Sequence, residues 1–161
     1  MLRELVDEVR PYFDAASHGK ALQLKIDLSA APHRIRSWRR ALKSILLNLG
    51  LNAIKFTEAG SVVMAIRGLP SRSGLTLLEI RANDSGVGFD RAKFLAVRPW
   101  VQISNSSTRL YRGMGLGLSV VLNNVEKLGG SVCVSTAPDR GSRFRVRIPL
   151  APVPPASDNA A

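Results

Sequence analysis

Several common features are scarce or absent in this sequence, and each absence excludes a class of protein. Cys133 is the single cysteine, so there is no disulfide framework and no cysteine-based metal site, which fits a reducing cytoplasm. No apolar run is long enough to span a membrane, and the charged residues between Arg3 and Arg10 leave no signal-peptide pattern. Only 6% of the residues are aromatic, and no helix combines a basic face with interleaved aromatics. Direct nucleic-acid binding is therefore the least favoured function.

Acidic residues are also few. The chain has 12 Asp and Glu against 23 Lys and Arg, and its net charge is +11. This excess suits an anionic ligand, an acidic partner, a membrane surface or nucleic acid. With 161 residues, 45% of them hydrophobic, the sequence predicts one folded domain. We expect it to span residues 1–150, because the Pro- and Ala-rich stretch 151–161 has the composition of a disordered tail or linker.

Hydrophobic periodicity predicts both helices and strands. Apolar residues at helical spacing predict a helix over 2–16, a second over 37–56 and a third that begins at Gly115. Alternating patterns bounded by turn residues predict five strands. This order of elements predicts an α+β fold, a two-layer sandwich whose sheet is covered on one face by helices. The predicted strands cover residues 21–28, 61–67, 75–82, 132–135 and 144–148.

The second predicted helix carries a polar face beside its apolar stripe. Asn48, Asn52 and Lys55 lie together on this face. Asn disfavours helix interiors, so two of them one turn apart need a reason other than helix formation. Two carboxamides beside an ammonium group suit a hydrated cation and the phosphates that it carries. An incidental polar edge of a surface helix is the alternative interpretation.

Two glycine-rich motifs follow along the chain. Asp84 ends a predicted strand and precedes Gly86 and Gly88, which let the backbone approach a ligand closely. Its ionised carboxylate only accepts hydrogen bonds and would select the exocyclic amine of adenine over the carbonyl of guanine. A simple Asp-x-Gly turn is the alternative. The run Gly113–Leu118 enters the third helix, whose free N–H groups and dipole suit phosphate, yet it is neither the dinucleotide fingerprint nor a P-loop.

The three motifs together resemble the N, G1 and G2 boxes of the sensor histidine kinases of two-component systems. They come in the order of that family, and the similarity extends over nearly all of residues 2–150. The resemblance implies the Bergerat ATP-binding fold with a mixed, mostly antiparallel sheet, and it implies ATP and Mg²⁺ as cofactors. The matching segments are Asn48–Thr57, Asp84–Gly88, Gly113–Ser119, Gly129–Gly130 and Gly141–Phe144.

The resemblance also implies a role for each matching residue. Asn52 would ligate Mg²⁺, Asn48 would help to hold the metal–phosphate unit, Lys55 would meet a phosphate and Asp84 would take the adenine amine. These three residues of the helix, Asn48, Asn52 and Lys55, would be the catalytic ones. A neutral amide at Asn48 cannot replace the glutamate that activates water in related ATPases, so phosphotransfer is expected and hydrolysis should be slow. The remaining nucleotide-binding residues would be Gly86, Gly88, Gly113, Gly115, Leu116, Gly117 and Leu118.

Two departures from the family pattern concern the lid and the phosphoacceptor. The polar, aperiodic stretch 98–112 is typical of a lid, but the lid start is Val97-Arg98-Pro99-Trp100 where the family has Phe-Glu-Pro-Phe. No His-Glu or His-Asp box is present, and His18 and His33 are interpreted as surface or packing residues. We therefore expect a monomeric catalytic domain that acts on a histidine of a separate dimerisation domain, in cis or in trans. A response regulator receiver domain is the expected downstream partner. The expected location is cytoplasmic, alone or as part of a membrane-bound kinase.

Two other functions would suit the same fold. A degenerate kinase-like domain would bind a regulator or a kinase without using ATP; the altered lid start favours this and the intact boxes disfavour it. A serine kinase of the anti-sigma-factor type would need no phosphoacceptor histidine, but the Asn-Ala-Ile-Lys-Phe-Thr segment is closer to sensor kinases.

The last two predicted strands carry two further patterns. Arg143, Arg145 and Arg147 alternate and so share one face, which is interpreted as a solvated sheet edge, with an acidic partner surface as the alternative. Cys133 lies in an alternating apolar stretch and is predicted to be a buried, inert thiol.

Overall fold

The computed structural model describes residues 2–32, 38–70, 76–90 and 116–150, and these residues form three helices and five strands. The predicted elements are confirmed, with ends that differ by a few residues. The predicted helix starts at Ser37 and Gly115, the predicted lid and the tail 151–161 lie outside the described residues. No described helix is long and apolar enough to cross a membrane. The elements are α1 Leu2–Ser17, β1 Ala21–Asp27, α2 Arg39–Lys55, β2 Ala59–Pro70, β3 Thr76–Asp84, α3 Leu116–Lys127, β4 Ser131–Thr136 and β5 Ser142–Leu150.

The strands form one mixed sheet in the order β1-β2-β3-β5-β4. β1 and β2 are parallel, and α2 provides the long connection that parallel neighbours require. The other three pairs are antiparallel, which confirms the mixed, mostly antiparallel sheet. One interpretation is wrong: β5 hydrogen-bonds to β3 on one side and to β4 on the other, so Arg143, Arg145 and Arg147 do not lie on a sheet edge.

The core lies between the sheet and a layer of helices. Along β2, Val62, Met64 and Ile66 are at most 1% exposed, because alternate residues of the strand point toward the helices. α2 lies across β2 and β3 and contacts both α1 and α3. Its apolar stripe is buried from Leu42 to Ala53, including Ile45 and Leu46, whereas Phe56 at the end of the predicted stripe is 46% exposed because it follows the last turn of the helix. The fold is thus the predicted two-layer sandwich, and we call the sheet surface away from the helices the open face.

Cys133 corrects the prediction of a buried thiol. The residue is exposed on β4, whereas its neighbour Val132 is buried. In an alternating strand the phase decides which residues reach the core, and here Val132 and Val134 point toward the helices. Cys133 therefore belongs to the open face.

Candidate functional site

The C-terminal half of α2 presents the two predicted amides. Asn48 Nδ2 donates a hydrogen bond to the Ser44 carbonyl oxygen one turn earlier, at 2.7 Å. The Ser44 hydroxyl is 3.4 Å from the same nitrogen and also accepts a 3.5 Å bond from Asn124 Nδ2 of α3. Because the NH₂ group of Asn48 is engaged along its own helix, its carbonyl oxygen is the part that faces a ligand or α3.

Gly117, in the first turn of α3, lies directly against these amides. A Cβ atom at this position would be 2.7 Å from Asn48 Oδ1 and 3.2 Å from Asn52 Nδ2. A side chain at this position would have to displace the end of the Asn48 side chain, so glycine lets the two helices approach without moving the amide pair. This contact brings the predicted N box and the end of the predicted Gly-x-Gly-x-Gly run together. Gly113 and Gly115 lie outside the described residues.

The two leucines of the run lie at the start of the same helix. Leu116 begins α3, and Leu118 is 5% exposed within the hydrophobic core. The side chain of Leu118 therefore anchors α3 to the fold. A nucleotide-binding role for this residue can rest only on its backbone.

Lys55 is the last residue of α2. Its side chain is exposed, and Nζ lies 5.3 Å from the centre of the Phe56 ring. This cation–π contact holds the ammonium group near the end of the helix without burying it. Lys55 is thus exposed at the end of α2, and its contact with a phosphate stays a prediction.

Lys20 supports the same helix end, and the sequence analysis missed it. Its Nζ donates to the carbonyl oxygens of Ile54 at 2.9 Å and Thr57 at 3.2 Å, and to Glu58 Oε1 at 3.0 Å. A cation at a helix C-terminus satisfies carbonyl groups that have no partner within the helix and complements the dipole. Lys20 precedes β1 and is distant in sequence from α2, so no local pattern could have identified this contact.

Asp84 ends β3 with a carboxylate held by backbone N–H groups. Oδ1 accepts hydrogen bonds from the N–H groups of Gly86 at 3.0 Å and Ser142 at 3.1 Å. Burial raises the pKa of Asp84 above its usual value, although these two N–H groups and the Ser142 hydroxyl act in the opposite direction. Both backbone bonds end on Oδ1, so Oδ2 takes part in neither. The result is an oriented, partly desolvated acceptor.

The loop after Asp84 is packed between two other segments. Val87 N donates to Phe56 O at 3.2 Å, and a Cβ at Gly86 would lie 2.1 Å from that same oxygen. Gly88 has φ +59°, and a Cβ there would lie 2.0 Å from Ala137 O. Both glycines are therefore required by close backbone contacts, whatever further space they provide for a base. The motif from Asp84 to Gly88 is thus held against the end of α2.

α2 is the element on which the described motif residues meet. The start of α3 contacts it at Asn48 and Asn52, and the Asp84 loop contacts it at Phe56. His18 is exposed in the turn after α1, and His33 lies outside the described residues. Among the described residues, no group of three or more His, Cys, Asp or Glu side chains could hold a metal ion. The amide oxygens of Asn48 and Asn52 are the groups on α2 that could hold a hard cation whose other ligands come from phosphate and water.

Comparison with known proteins was made on sequence and on structure. The family model described as histidine kinase-, DNA gyrase B- and HSP90-like ATPase matches residues 39–152. The autoinducer 2 sensor kinase/phosphatase LuxQ of Vibrio vulnificus is 36% identical over 130 residues, which are 80% of this chain and 15% of LuxQ. The signal transduction histidine-protein kinase BarA of Escherichia coli K12 is 31% identical over 151 residues, which are 92% of this chain and 16% of BarA. The chain thus spans less than a fifth of either relative.

Two solved structures share the fold. Full-length ShkA in complex with AMPPNP superposes with a TM-score of 0.72 at 24% identity, over 95% of this chain and 31% of ShkA. The nucleotide-free catalytic domain of histidine kinase ThkA superposes with a TM-score of 0.71 at 22% identity, over 94% of this chain and 95% of that domain.

Proposed function

Because the chain belongs to the family of histidine kinase-, DNA gyrase B- and HSP90-like ATPases, we propose that it binds Mg²⁺-ATP and serves as the catalytic domain of a sensor histidine kinase. The domain would extend over residues 1–150. The observation that carries this proposal is the contact of Gly117 with Asn48 and Asn52. It puts the first turn of α3, with its partial positive charge, beside two amides that suit a metal-bound phosphate group.

Adenine recognition is assigned to Asp84. Its Oδ1 is held by Gly86 and Ser142, which leaves Oδ2 for the exocyclic amine of adenine. Gly86 and Gly88 would let the backbone lie close to the base. Guanine presents a carbonyl at the corresponding position and would face a carboxylate that cannot donate.

Phosphate and Mg²⁺ are assigned to the α2 side of the site. The amide oxygens of Asn52 and Asn48 are hard ligands, which Mg²⁺ prefers, and they suit a cation that takes its other ligands from phosphate and water. Mg²⁺ would neutralise phosphate charge. Lys55 adds an exposed ammonium group, and the backbone N–H groups from Gly113 to Leu118 would receive the phosphate oxygens at the helix start.

The reaction proposed is transfer of the γ-phosphate to a histidine of a separate dimerisation and phosphoacceptor domain, in cis or in trans. Asn48 is a neutral amide and cannot activate water, so the domain itself contributes positioning and charge stabilisation. A general base for the histidine would come from the phosphoacceptor domain. A receiver domain of a response regulator would take the phosphate next. We place the domain in the cytoplasm, alone or as part of a membrane-bound kinase.

A calorimetric titration tests the nucleotide site. The full chain is titrated with ATP in the presence of Mg²⁺ and in the presence of EDTA, and with GTP. We expect saturable ATP binding that weakens without Mg²⁺, and binding about tenfold or more weaker in Asn52→Ala. Asn123→Ala, which removes an exposed Asn from α3, is the matched control and should bind as the parent does. Absence of saturable binding in the parent chain would refute the proposal and favour a degenerate interaction module.

A phosphotransfer assay tests the reaction. The chain is incubated with radiolabelled ATP and an added phosphoacceptor domain of a homologous sensor kinase. We expect an acid-labile phosphoprotein and very little phosphate release without the acceptor, because phosphohistidine hydrolyses in acid. An acid-stable product would instead identify a serine kinase.

A further inference from the structure

The open face of the sheet carries a cluster of arginines. Strand pairing aligns Arg81 with Arg145 and Asn83 with Arg143 across β3 and β5, and it aligns Glu79 with Arg147. Because alternate residues share a face, these side chains all lie on the surface away from the helices. We call Arg81, Arg143, Arg145 and Arg147 the arginine face.

Part of this charge is neutralised within the fold. Glu79 is fully buried and accepts a hydrogen bond from Arg147 Nε at 2.8 Å. Arg81 Nε lies 2.6 Å from the other Glu79 oxygen, Oε1. The two groups form an ion pair, but the angles at these atoms do not meet the criteria for a hydrogen bond. A single carboxylate is thus held between two guanidinium groups. The Glu79 carboxylate between Arg81 and Arg147 is thus an example, within the fold, of a carboxylate bound by arginines of this face.

Two arginines of the face have no such partner. Arg143 and Arg145 are exposed, and neither forms an ion pair with any residue that the structure describes. They lie two residues apart on the same face of β5, opposite Asn83 and Arg81 of β3. Adjacent unpaired cations repel one another, and a carboxylate bound between them would relieve that repulsion.

A shallow hollow of about 780 Å³ lies over these residues. Its lining includes Arg81, Arg140, Arg143 and Arg145 together with Asn83 and Cys133. Guanidinium groups bind carboxylates in a planar, bidentate manner, and the amide of Asn83 adds a donor. The hollow is therefore suited to several carboxylates along one chain.

The surface does not suit the other common anionic partners. The exposed large apolar side chains among the described residues, Tyr12, Trp38, Phe56, Val87 and Val120, lie outside the five strands. Within the part of the chain that the structure describes, the open face thus has no exposed apolar anchor of the kind that inserts into a membrane. Among the described residues that line the hollow, Phe144 is the one aromatic, and it is half-buried. These residues therefore offer no row of rings for stacking unpaired bases.

We propose that the arginine face docks an acidic polypeptide segment of a partner protein, whose carboxylates bind Arg143 and Arg145 as Glu79 binds Arg81 and Arg147. This site lies on the opposite side of the sheet from α2 and α3. The hollow also reaches Asp84 and Ser85 at the end of β3. The proposed contacts are made by Arg143 and Arg145, so the inference does not rest on ATP binding.

Fluorescence anisotropy with a labelled ten-residue oligoglutamate peptide tests the proposal on the full chain. In Arg143→Glu/Arg145→Glu the affinity should fall by about tenfold or more, because two attractive charges become repulsive. The matched control is Arg3→Glu/Arg10→Glu, which makes the same change of net charge at two exposed positions of α1. This control should stay within about twofold of the parent chain, since charges at that distance are screened. Circular dichroism verifies that both variants are folded.

Cys133 supplies a second readout at the proposed site. As the only cysteine of the chain, exposed and within the hollow, it can be labelled with a maleimide. Bound peptide should slow this reaction in the parent chain and leave its rate unchanged in the arginine-face variant. Equal loss of affinity in both double variants, or no protection of Cys133, would overturn the proposal. Tighter binding of duplex DNA or anionic phosphatidylserine vesicles than of the peptide, lost in the arginine-face variant, would overturn the choice of partner.

Discussion

Asp84→Asn separates the acceptor role of this residue from its structural role. The two side chains have almost the same shape, and an amide oxygen at Oδ1 can still accept the bonds from Gly86 and Ser142. The change falls on Oδ2, where an NH₂ donor replaces a charged acceptor. The exocyclic amine of adenine would then meet another donor.

The expected magnitude follows from that exchange. A hydrogen bond to a charged group contributes about 1.5–3 kcal/mol, and opposing donors add the desolvation penalty of unpaired groups. Since about 1.4 kcal/mol corresponds to a tenfold change in affinity, ATP should bind Asp84→Asn about 100-fold more weakly. GTP should lose much less, because the new amide donor suits the guanine carbonyl, so the preference for ATP over GTP should shrink.

The stability of the folded chain should not fall along with the ATP affinity in Asp84→Asn. Because burial raises the folded-state pKa of Asp84, the native state prefers the protonated carboxyl. The stability contribution of this residue is therefore present below the unfolded-state pKa and is lost as the pH rises through the raised native value. At pH 7 the ionised group destabilises the fold, and a neutral Asn does not. We expect Asp84→Asn to be as stable as the parent chain or slightly more stable at pH 7.

Calorimetric titration with ATP and with GTP would measure the change in affinity. Urea unfolding at pH 7 would measure the change in stability. Asp7→Asn, at an exposed position of α1, is the matched control and should change neither. ATP affinity within about twofold of the parent would refute the assignment of Asp84 to adenine. A loss of stability comparable with the loss of binding energy would refute the argument that Oδ1 keeps its partners.

Three further substitutions test other contacts. Gly117→Ala should keep the fold but weaken Mg²⁺-ATP binding about tenfold or more in calorimetry, because its Cβ would lie 2.7 Å from Asn48 Oδ1; unchanged affinity would contradict the proposed site. Lys20→Met should lower the free energy of unfolding by about 1–2 kcal/mol and speed amide exchange at the end of α2, since carbonyls there lose their donor; unchanged exchange would refute this. Glu79→Gln should cost about 1–3 kcal/mol at pH 7 in urea unfolding. Burial raises the pKa of Glu79, but its hydrogen bond with Arg147 and its ion pair with Arg81 outweigh burial and leave the pKa below its usual value. The stability contribution of Glu79 is therefore present above the unfolded-state pKa and is lost as the pH falls through the lowered native value. The deficit of Glu79→Gln should therefore shrink below about pH 4, and a deficit independent of pH would contradict the charge argument.

Much of the fold could be predicted from the sequence because its signals are local. The alternation in β1 and the helical stripe in α2 each reflect the geometry of one element, and the structure confirms both. The sheet order was not local information. β5 joins β3 through nine aligned residue pairs, and this puts the arginines inside the sheet rather than at its edge. The exposure of Cys133 was missed because an alternating pattern does not by itself state its phase.

The candidate site, like the fold, could be predicted from the sequence only in part. Asn48, Asn52 and Asp84 were identified because amides in a helix and a carboxylate before glycines are unusual choices whose chemistry is visible residue by residue. Lys20 was not found, since its bonds reach residues more than thirty positions along the chain. Gly113, Gly115 and the lid sequence stay predictions.

By itself, the sequence determined which segments become helices and strands and the family to which the chain belongs, and it predicted which residues carry the chemistry. Tertiary structure alone decided that Gly117 lies against Asn48, that Lys20 supports the end of α2, and that Glu79 is held between Arg81 and Arg147. The physical reason is the distance along the chain over which each kind of interaction acts. Backbone geometry and side-chain chemistry act within a turn or a strand, whereas helix contacts, strand order and ion pairs join residues that only the packing of the core brings together.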